Sequence, residues 1–208
     1  MKEPNNITTL FIDIGGVLLT NGWDHESRNL AAEKFNLDKP EMEARHSLAF
    51  ETFELGKLTL EEYLNITVFY EHRDFTKEEF RQFMFSQSQP HQQMIELIKA
   101  LKKRYGLKVV VVSNEARELN SYRIQHYKLT EFIDFFISST FAHMRKPDIS
   151  IYKMALDMAQ VLPSETIYLD DISVFVKVAE TLRIKGICHV NYETTVKELQ
   201  SMGFETTI

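Results

Sequence analysis

Cysteine is nearly absent from this chain: Cys188 is the only one in 208 residues. A single thiol permits no internal disulfide and no cysteine-based zinc site. Its place in the apolar run Gly186–Val190 reads as a structural thiol, not a nucleophile. Long hydrophobic runs are missing too. None approaches the roughly 20 residues of a membrane span, and the polar start MKEPNNITT has no signal-peptide core. Positive charge is not in excess. A net charge of −6 argues against a dedicated nucleic-acid binder, because a phosphate backbone selects for basic patches. Internal repeats and low-complexity tracts are absent as well. What remains, 44% hydrophobic and 26% charged residues, is an ordinary soluble composition with room for one sizeable core and a small inserted subdomain. The expectation is a cytoplasmic protein that engages neither nucleic acid nor membrane; composition says nothing of its oligomeric state.

Against that plain background the segment Leu10–Thr20, LFIDIGGVLLT, stands out. An apolar run, read as a strand over Leu10–Ile14, carries a single acid, Asp13, and breaks at Gly15-Gly16. An acid at the carboxyl end of a buried strand faces the crevice where open α/β sheets bind ligands, and glycines there allow close backbone approach. A strand-end turn with local hydrogen bonds would use the same residues.

From about Leu107 onward, short apolar runs alternate with amphipathic segments, the pattern of a parallel sheet with crossover helices. The runs are Leu107–Val112, Phe135–Ser138, Thr166–Leu169 and Gly186–Val190. Helical candidates lie near Ala116–Tyr127, Asp148–Gln160, Ser173–Arg183 and Thr194–Met202, and Met94, Leu97, Ile98 and Leu101 form a further helical stripe ending at Gly106. Between the first strand and Leu107 no comparable strand occurs. The stretch Asn21–Gln89 reads as about four helices, with capping-box spacing at Thr59/Glu62 and Thr76/Glu79. The division is therefore an α/β core over 1–20 and 90–208, and a four-helix insertion over 21–89. The dense aromatic residues of the insertion read as helical-bundle core.

Each main strand finishes in a polar group: Asp13, Ser113-Asn114, and Asp170-Asp171, with Arg145-Lys146-Pro147-Asp148 before a helix. A parallel sheet brings these ends to one edge. Clustered carboxylates repel unless a hard cation sits among them, and oxygen ligands with retained water suit Mg²⁺. The lysine, the hydroxyl and backbone N–H groups suit a phosphoryl group. Taken singly, Asp-Asp is often a helix cap, Ser-Asn a turn and Lys-Pro-Asp a solvated helix start; the signal lies in their combination and order.

With these motifs the chain resembles the haloacid dehalogenase-like superfamily over essentially its whole length. DIGGVL, VVVSN, RKPDISIY and YLDD look like its four motifs, and the helical insertion looks like its cap. RKPD-x-x-IY and the DIGG start look closest to the bacterial sugar-phosphate and glucose-1-phosphate phosphatase-like branch, with epoxide hydrolase amino-terminal domains more distant. The resemblance implies a doubly wound, Rossmann-like α/β core with an inserted helical cap. It implies catalytic roles for Asp13, which forms an aspartyl-phosphate, and for Lys146. Phosphate contacts fall to Ser113, Lys146 and backbone N–H groups around Ile14 and Asn114. Mg²⁺ falls to Asp13, the Gly15 carbonyl and one or both of Asp170 and Asp171. The implied partner is a small phosphorylated metabolite, such as a sugar 1-phosphate or acyl phosphate, with the cap residues Trp23, His46, Phe50 and Phe53 as candidates to sense its leaving group.

Two departures from the family pattern matter. The second residue after the nucleophile is usually an aspartate that protonates the leaving group and activates water; here it is Gly15. General acid–base help is worth roughly 10²–10⁴-fold. Substrates with good leaving groups would need less of it, Asp24 or His25 could substitute, or the protein could bind without turnover. The second departure follows Asp170-Asp171, where Val174 and Phe175 occupy positions usually polar, Arg183 stands near the usual glycine, and Ser173 is the remaining hydroxyl. Three readings stay open: a Mg²⁺-dependent phosphatase, a non-catalytic or regulatory relative, and a metal-free dehalogenase. A nucleophile that attacks carbon has no need of the acid pair, which disfavours the third.

Overall fold

The computed structural model describes residues 6–207, so the first residues of the polar start lie outside the described residues. Five strands form one parallel sheet in the order β3-β2-β1-β4-β5. They are β1 (Thr9–Ile12), β2 (Lys108–Ser113), β3 (Phe135–Ser138), β4 (Thr166–Asp170) and β5 (Lys185–Cys188). The chain moves outward from β1 through β2 to β3, then returns to place β4 on the other side of β1. That reversal makes the β1/β4 boundary a topological switch point, where open α/β sheets form a crevice.

Alternation along the strands decides the layers. Leu10, Ile12, Val109 and Val111 point to one face and pack with Met94, Leu97, Ile98 and Leu101 of α5 (Gln92–Tyr105) and Leu199 of α10 (Tyr192–Ser201). Phe11, Val110 and Val112 point to the other face, against Ile151, Tyr152 and Ala155 of α8 (Ile149–Ala159) and Ala179 of α9 (Ser173–Thr181). With both faces covered, the strands read as continuous apolar runs. Strand β1 ends two residues before Ile14. The Ile14 N–H turns to Asp13 Oδ1 at 2.8 Å, while the Leu18 and Leu19 N–H groups turn back to the Ile14 carbonyl at 3.0 and 2.9 Å.

Helices α1 (His25–Lys34), α2 (Lys39–Glu54), α3 (Leu60–Thr67) and α4 (Lys77–Ser86) lie between β1 and α5. Both capping boxes, Thr59/Glu62 and Thr76/Glu79, are formed. Phe53, Tyr63, Leu64, Phe80 and Met84 make their own core, closed by Ala116 and by Leu119 of α6 (Arg117–His126). The two chain crossings to this unit run side by side: Thr20 N–H donates to the Gln89 carbonyl at 2.8 Å, and Gln89 N–H to Thr20 Oγ1 at 2.9 Å. A further four-residue helix, α7 (Ser139–Ala142), follows β3 directly. Among the described residues no helix is long and apolar enough to cross a membrane.

Candidate active site

Parallel pairing sets Asp13, Ser113 and Asp170 at the carboxyl ends of the three central strands: Ile12 is level with both Val111 and Leu169. Lys146, from the loop before α8, completes the group. Its Nζ lies 2.9 Å from Asp13 Oδ2 and 2.6 Å from Asp170 Oδ2, and it is fully buried. Asn114 holds it there. The amide accepts the Lys146 N–H at 2.8 Å and donates to the Lys146 carbonyl at 3.0 Å. Asn114 thus orders the lysine loop with its side chain, a task its sequence position did not suggest.

Asp13, Asp170 and Asp171 bring one ligand atom each within 4.8 Å of one another. Two of the three, Asp13 and Asp170, share the Lys146 ammonium, and Asp171 has no cation bonded to it among the described residues. Burial pushes the Asp13 carboxyl upward, with Lys146 pulling it down and Asp170 repelling it. Burial works against charge on Lys146 as well, yet Asp13 and Asp170 together lift its pKa above the ordinary value. Asp171 is also raised, by burial and then by Asp170. Such a group takes up a divalent cation readily, because the cation offsets the repulsion.

The two adjacent acids are placed differently. Asp170 is wholly buried; its Oδ2 accepts from Lys146 and from the Tyr168 hydroxyl, and its Oδ1 accepts the Ile172 N–H at 2.8 Å. Asp171 lines the cavity, and its Oδ1 is buried without a partner. Gly16 admits it: at φ +69°, a Cβ there would sit 2.1 Å from Asp171 Oδ2. Of the glycine pair, Gly16 is thus the one that needs to be glycine, while Gly15 lines the cavity. The Ser113 Oγ is likewise buried and unpartnered. A buried hydroxyl and a buried carboxylate oxygen left open beside Asp13 mark a place for a ligand rather than for solvent-free packing.

The cavity above has a volume of about 320 Å³. Asp13, Ser113, Asn114, Lys146 and Asp171 form its floor, and Trp23, His46, Phe50 and Phe53 stand among its walls. Ile14 is outside the lining, its N–H occupied by Asp13. Of the two alternatives for the absent acid at position 15, Asp24 reaches the cavity, but its Oδ1 caps α1 through the Ser27 N–H and hydroxyl, both at 2.8 Å. His25 is not part of the lining and faces Glu43 at 3.6 Å.

Sequence reasoning missed a buried pair. Arg123 Nη1 meets Glu115 Oε1 at 2.5 Å, and the same guanidinium donates to Ser88 Oγ and to the Thr20 carbonyl, each at 2.9 Å. Arg123 therefore ties both crossings of the helical unit to the loop that follows Ser113. Burial pushes Glu115 upward and Arg123 opposes it. Gly22 fits beneath: its φ is +78° and a Cβ would lie 1.9 Å from Arg123 Nη2. Glu115, two residues after Ser113, was the one visible hint. Arg145, which the sequence marks only as part of its motif, also lines the cavity, paired with Glu54 at 2.7 Å and Glu51 at 2.9 Å.

A family model described as haloacid dehalogenase-like hydrolase matches residues 26–188. Flavin mononucleotide hydrolase 1 of Arabidopsis thaliana is 26% identical over 173 residues, 80% of this chain and 67% of that protein. Bifunctional epoxide hydrolase 2 of Sus scrofa is 28% identical over 113 residues, 52% of this chain but only 20% of that much longer protein. Among solved structures, a HAD family enzyme of Bacteroides thetaiotaomicron in complex with magnesium and inorganic phosphate superposes with a TM-score of 0.76. It is 22% identical, over 88% of this chain and 93% of that one, a likeness of fold.

Proposed function

Because this chain belongs to the haloacid dehalogenase-like hydrolases, we propose that its Asp13 site is a Mg²⁺-dependent phosphatase for small phosphorylated metabolites. The observation that carries the reading is the buried, unpartnered Ser113 hydroxyl at the strand end beside Asp13 and Lys146. It offers a hydrogen bond to an anionic oxygen in a place that packing alone would leave unsatisfied.

In this reading one Asp13 oxygen attacks phosphorus as the ester P–O bond breaks, giving an aspartyl-phosphate and the leaving group as its anion, which takes a proton from water. Water then hydrolyses the acyl phosphate, so one difficult displacement becomes two easier ones. Ser113 donates to a phosphoryl oxygen throughout. Lys146 lowers the repulsion between the incoming dianion and the carboxylate, and Asp170 with Tyr168 and Asn114 keeps that ammonium in place. Asp13, the open oxygen of Asp171 and the Gly15 carbonyl would hold Mg²⁺, with Asp170 behind them. Bound there, the ion would supply charge that stabilises the equatorial oxygens in the transition state. Gly15 supplies no proton, so the leaving group departs as its anion, which favours substrates whose leaving group is a stable anion.

That gap favours a second reading, a relative that binds phosphate in the same pocket without turnover. A phosphate-release screen separates the two. It spans acetyl phosphate, p-nitrophenyl phosphate, anomeric and alkyl sugar phosphates and, given the Arabidopsis relative, flavin mononucleotide, each with and without Mg²⁺. Mg²⁺-dependent release that falls by at least about 10³-fold in Asp13→Asn supports the phosphatase. No release from any of them, with phosphate still raising the melting temperature, favours binding alone. Chloride release from a 2-haloacid in the presence of chelator would support neither and point to dehalogenation.

A further inference from the structure

The wall of the cavity carries a polar relay whose hydrogen positions follow from its partners. Trp23 Nε1 donates to the Tyr63 hydroxyl oxygen at 2.9 Å, and His46 Nδ1 lies 2.7 Å from the same oxygen. An indole N–H can only donate, so the Tyr63 oxygen is an acceptor there. Tyr63 is fully buried, and its own O–H proton needs an acceptor. His46 Nδ1 is the one within reach. The imidazole is neutral, since burial and then the Arg28 charge lower its pKa to about 4. A neutral ring that accepts at Nδ1 carries its proton on Nε2.

That Nε2 has no partner among the described residues and belongs to a side chain lining the Asp13 cavity. Stacking fixes the geometry: His46 on Phe50 at 5.2 Å, and Tyr63 on Phe53 at 4.2 Å and 9°. The neighbouring cations are already paired, Arg28 with Glu43 and Arg145 with Glu51 and Glu54. This wall therefore offers aromatic side chains and one unpaired N–H donor, beside the Asp24 carboxylate, whose Oδ1 is committed to capping α1.

We propose that the wall selects phosphomonoesters whose leaving group is a planar aromatic ring bearing a carbonyl-type acceptor, with His46 Nε2–H donating to that acceptor. The proposal rests on the phosphate site at Asp13. Hydroxyls of a polyhydroxylated leaving group lying against Trp23, Phe50 and Phe53 would lose water without gaining partners, whereas a flat ring gains apolar contact there.

Binding of non-hydrolysable phosphonates to the full chain with Mg²⁺, followed by calorimetry, tests it without relying on turnover. The probes are inorganic phosphate, propylphosphonate, benzylphosphonate, and benzylphosphonate with an acetyl group at ring position 3 or 4. Benzylphosphonate should bind tighter than propylphosphonate, and the better acetyl probe about 3- to 10-fold tighter than benzylphosphonate, as one neutral hydrogen bond provides. In His46→Phe the ratio of acetyl to benzyl affinity should fall to about one. Independently of any variant, the ¹⁵N shifts of the wild-type imidazole at pH 7 should be those of the Nε2–H tautomer. Equal binding of all the phosphonates, an acetyl preference surviving in His46→Phe, or an Nδ1–H ring overturns the proposal. If even inorganic phosphate fails to bind, the phosphate site and the proposal fall together; phosphate binding without discrimination among the phosphonates removes the proposal alone.

Discussion

Gly15→Asp places a carboxyl where the family usually has its proton donor, and the structure indicates what that change meets. Gly15 does not adopt a positive φ, so an L side chain is not strained by the backbone. Its Cβ would lie 2.9 Å from Asn21 Oδ1, the tip of an exposed side chain whose amide makes only a 3.5 Å contact with Asp171. Turning Asn21 aside costs no more than about 1 kcal/mol, the net worth of an ordinary hydrogen bond. The same Cβ would be 3.8 Å from Arg123 Nη1, which is already committed to Glu115. If the absent proton donor limits turnover, kcat/KM for an alkyl phosphate such as β-glycerophosphate should rise at least 10-fold, a threshold set below the roughly 10²–10⁴-fold that a fully placed acid–base group supplies. The value for p-nitrophenyl phosphate, whose leaving group needs no proton, should change less than about 3-fold, a barrier change of about 0.65 kcal/mol. Steady-state phosphate release on both substrates with Mg²⁺ is the assay, and circular dichroism shows whether the variant is folded. A folded variant in which both substrates speed up equally, or in which the alkyl-to-aryl ratio stays put, would refute the reasoning.

Removing one partner of the buried Arg123–Glu115 pair leaves the other uncompensated, so Arg123→Met should cost about 3–5 kcal/mol in urea denaturation. Paired with Glu115→Gln it should be less than additive; strict additivity would mean the two do not interact. For pH, His46 binds its proton less well folded, at about 4, than unfolded, at 6.5. Its neutral burial therefore stabilises the fold above 6.5, and that stability is lost as pH falls toward 4. Denaturation midpoints measured across that window should fall, and His46→Gln should flatten the slope. Mg²⁺ at about 100-fold over its Kd should add about 2.7 kcal/mol of stability, reversed by chelator and weakened in Asp171→Asn, which removes an open ligand oxygen.

Much of the core was legible because its signals are local. The run Val109–Val112, the stripe Met94–Leu101 and the boxes at Thr59 and Thr76 each fold by short-range rules of period and capping. The polar groups at strand ends could be placed together because a parallel sheet leaves few alternatives. The departures came where neighbours intervened: the Asp13 carboxylate captured the Ile14 N–H and ended β1 early, and Asn114 spent its side chain on Lys146.

By itself the sequence settled the α/β class and the run of helices between the first strand and Met94, since these depend on contacts between near neighbours and on strand direction. Tertiary structure alone decided which of Asp170 and Asp171 faces the cavity, that Arg123 joins Glu115 to both crossings of the helical unit, and that Trp23, Tyr63 and His46 share one relay. Those partners are separated by 8 to 103 positions along the chain, and no local period encodes such meetings. They arise from helices burying their apolar faces, which carries polar side chains to positions set by packing across the whole molecule.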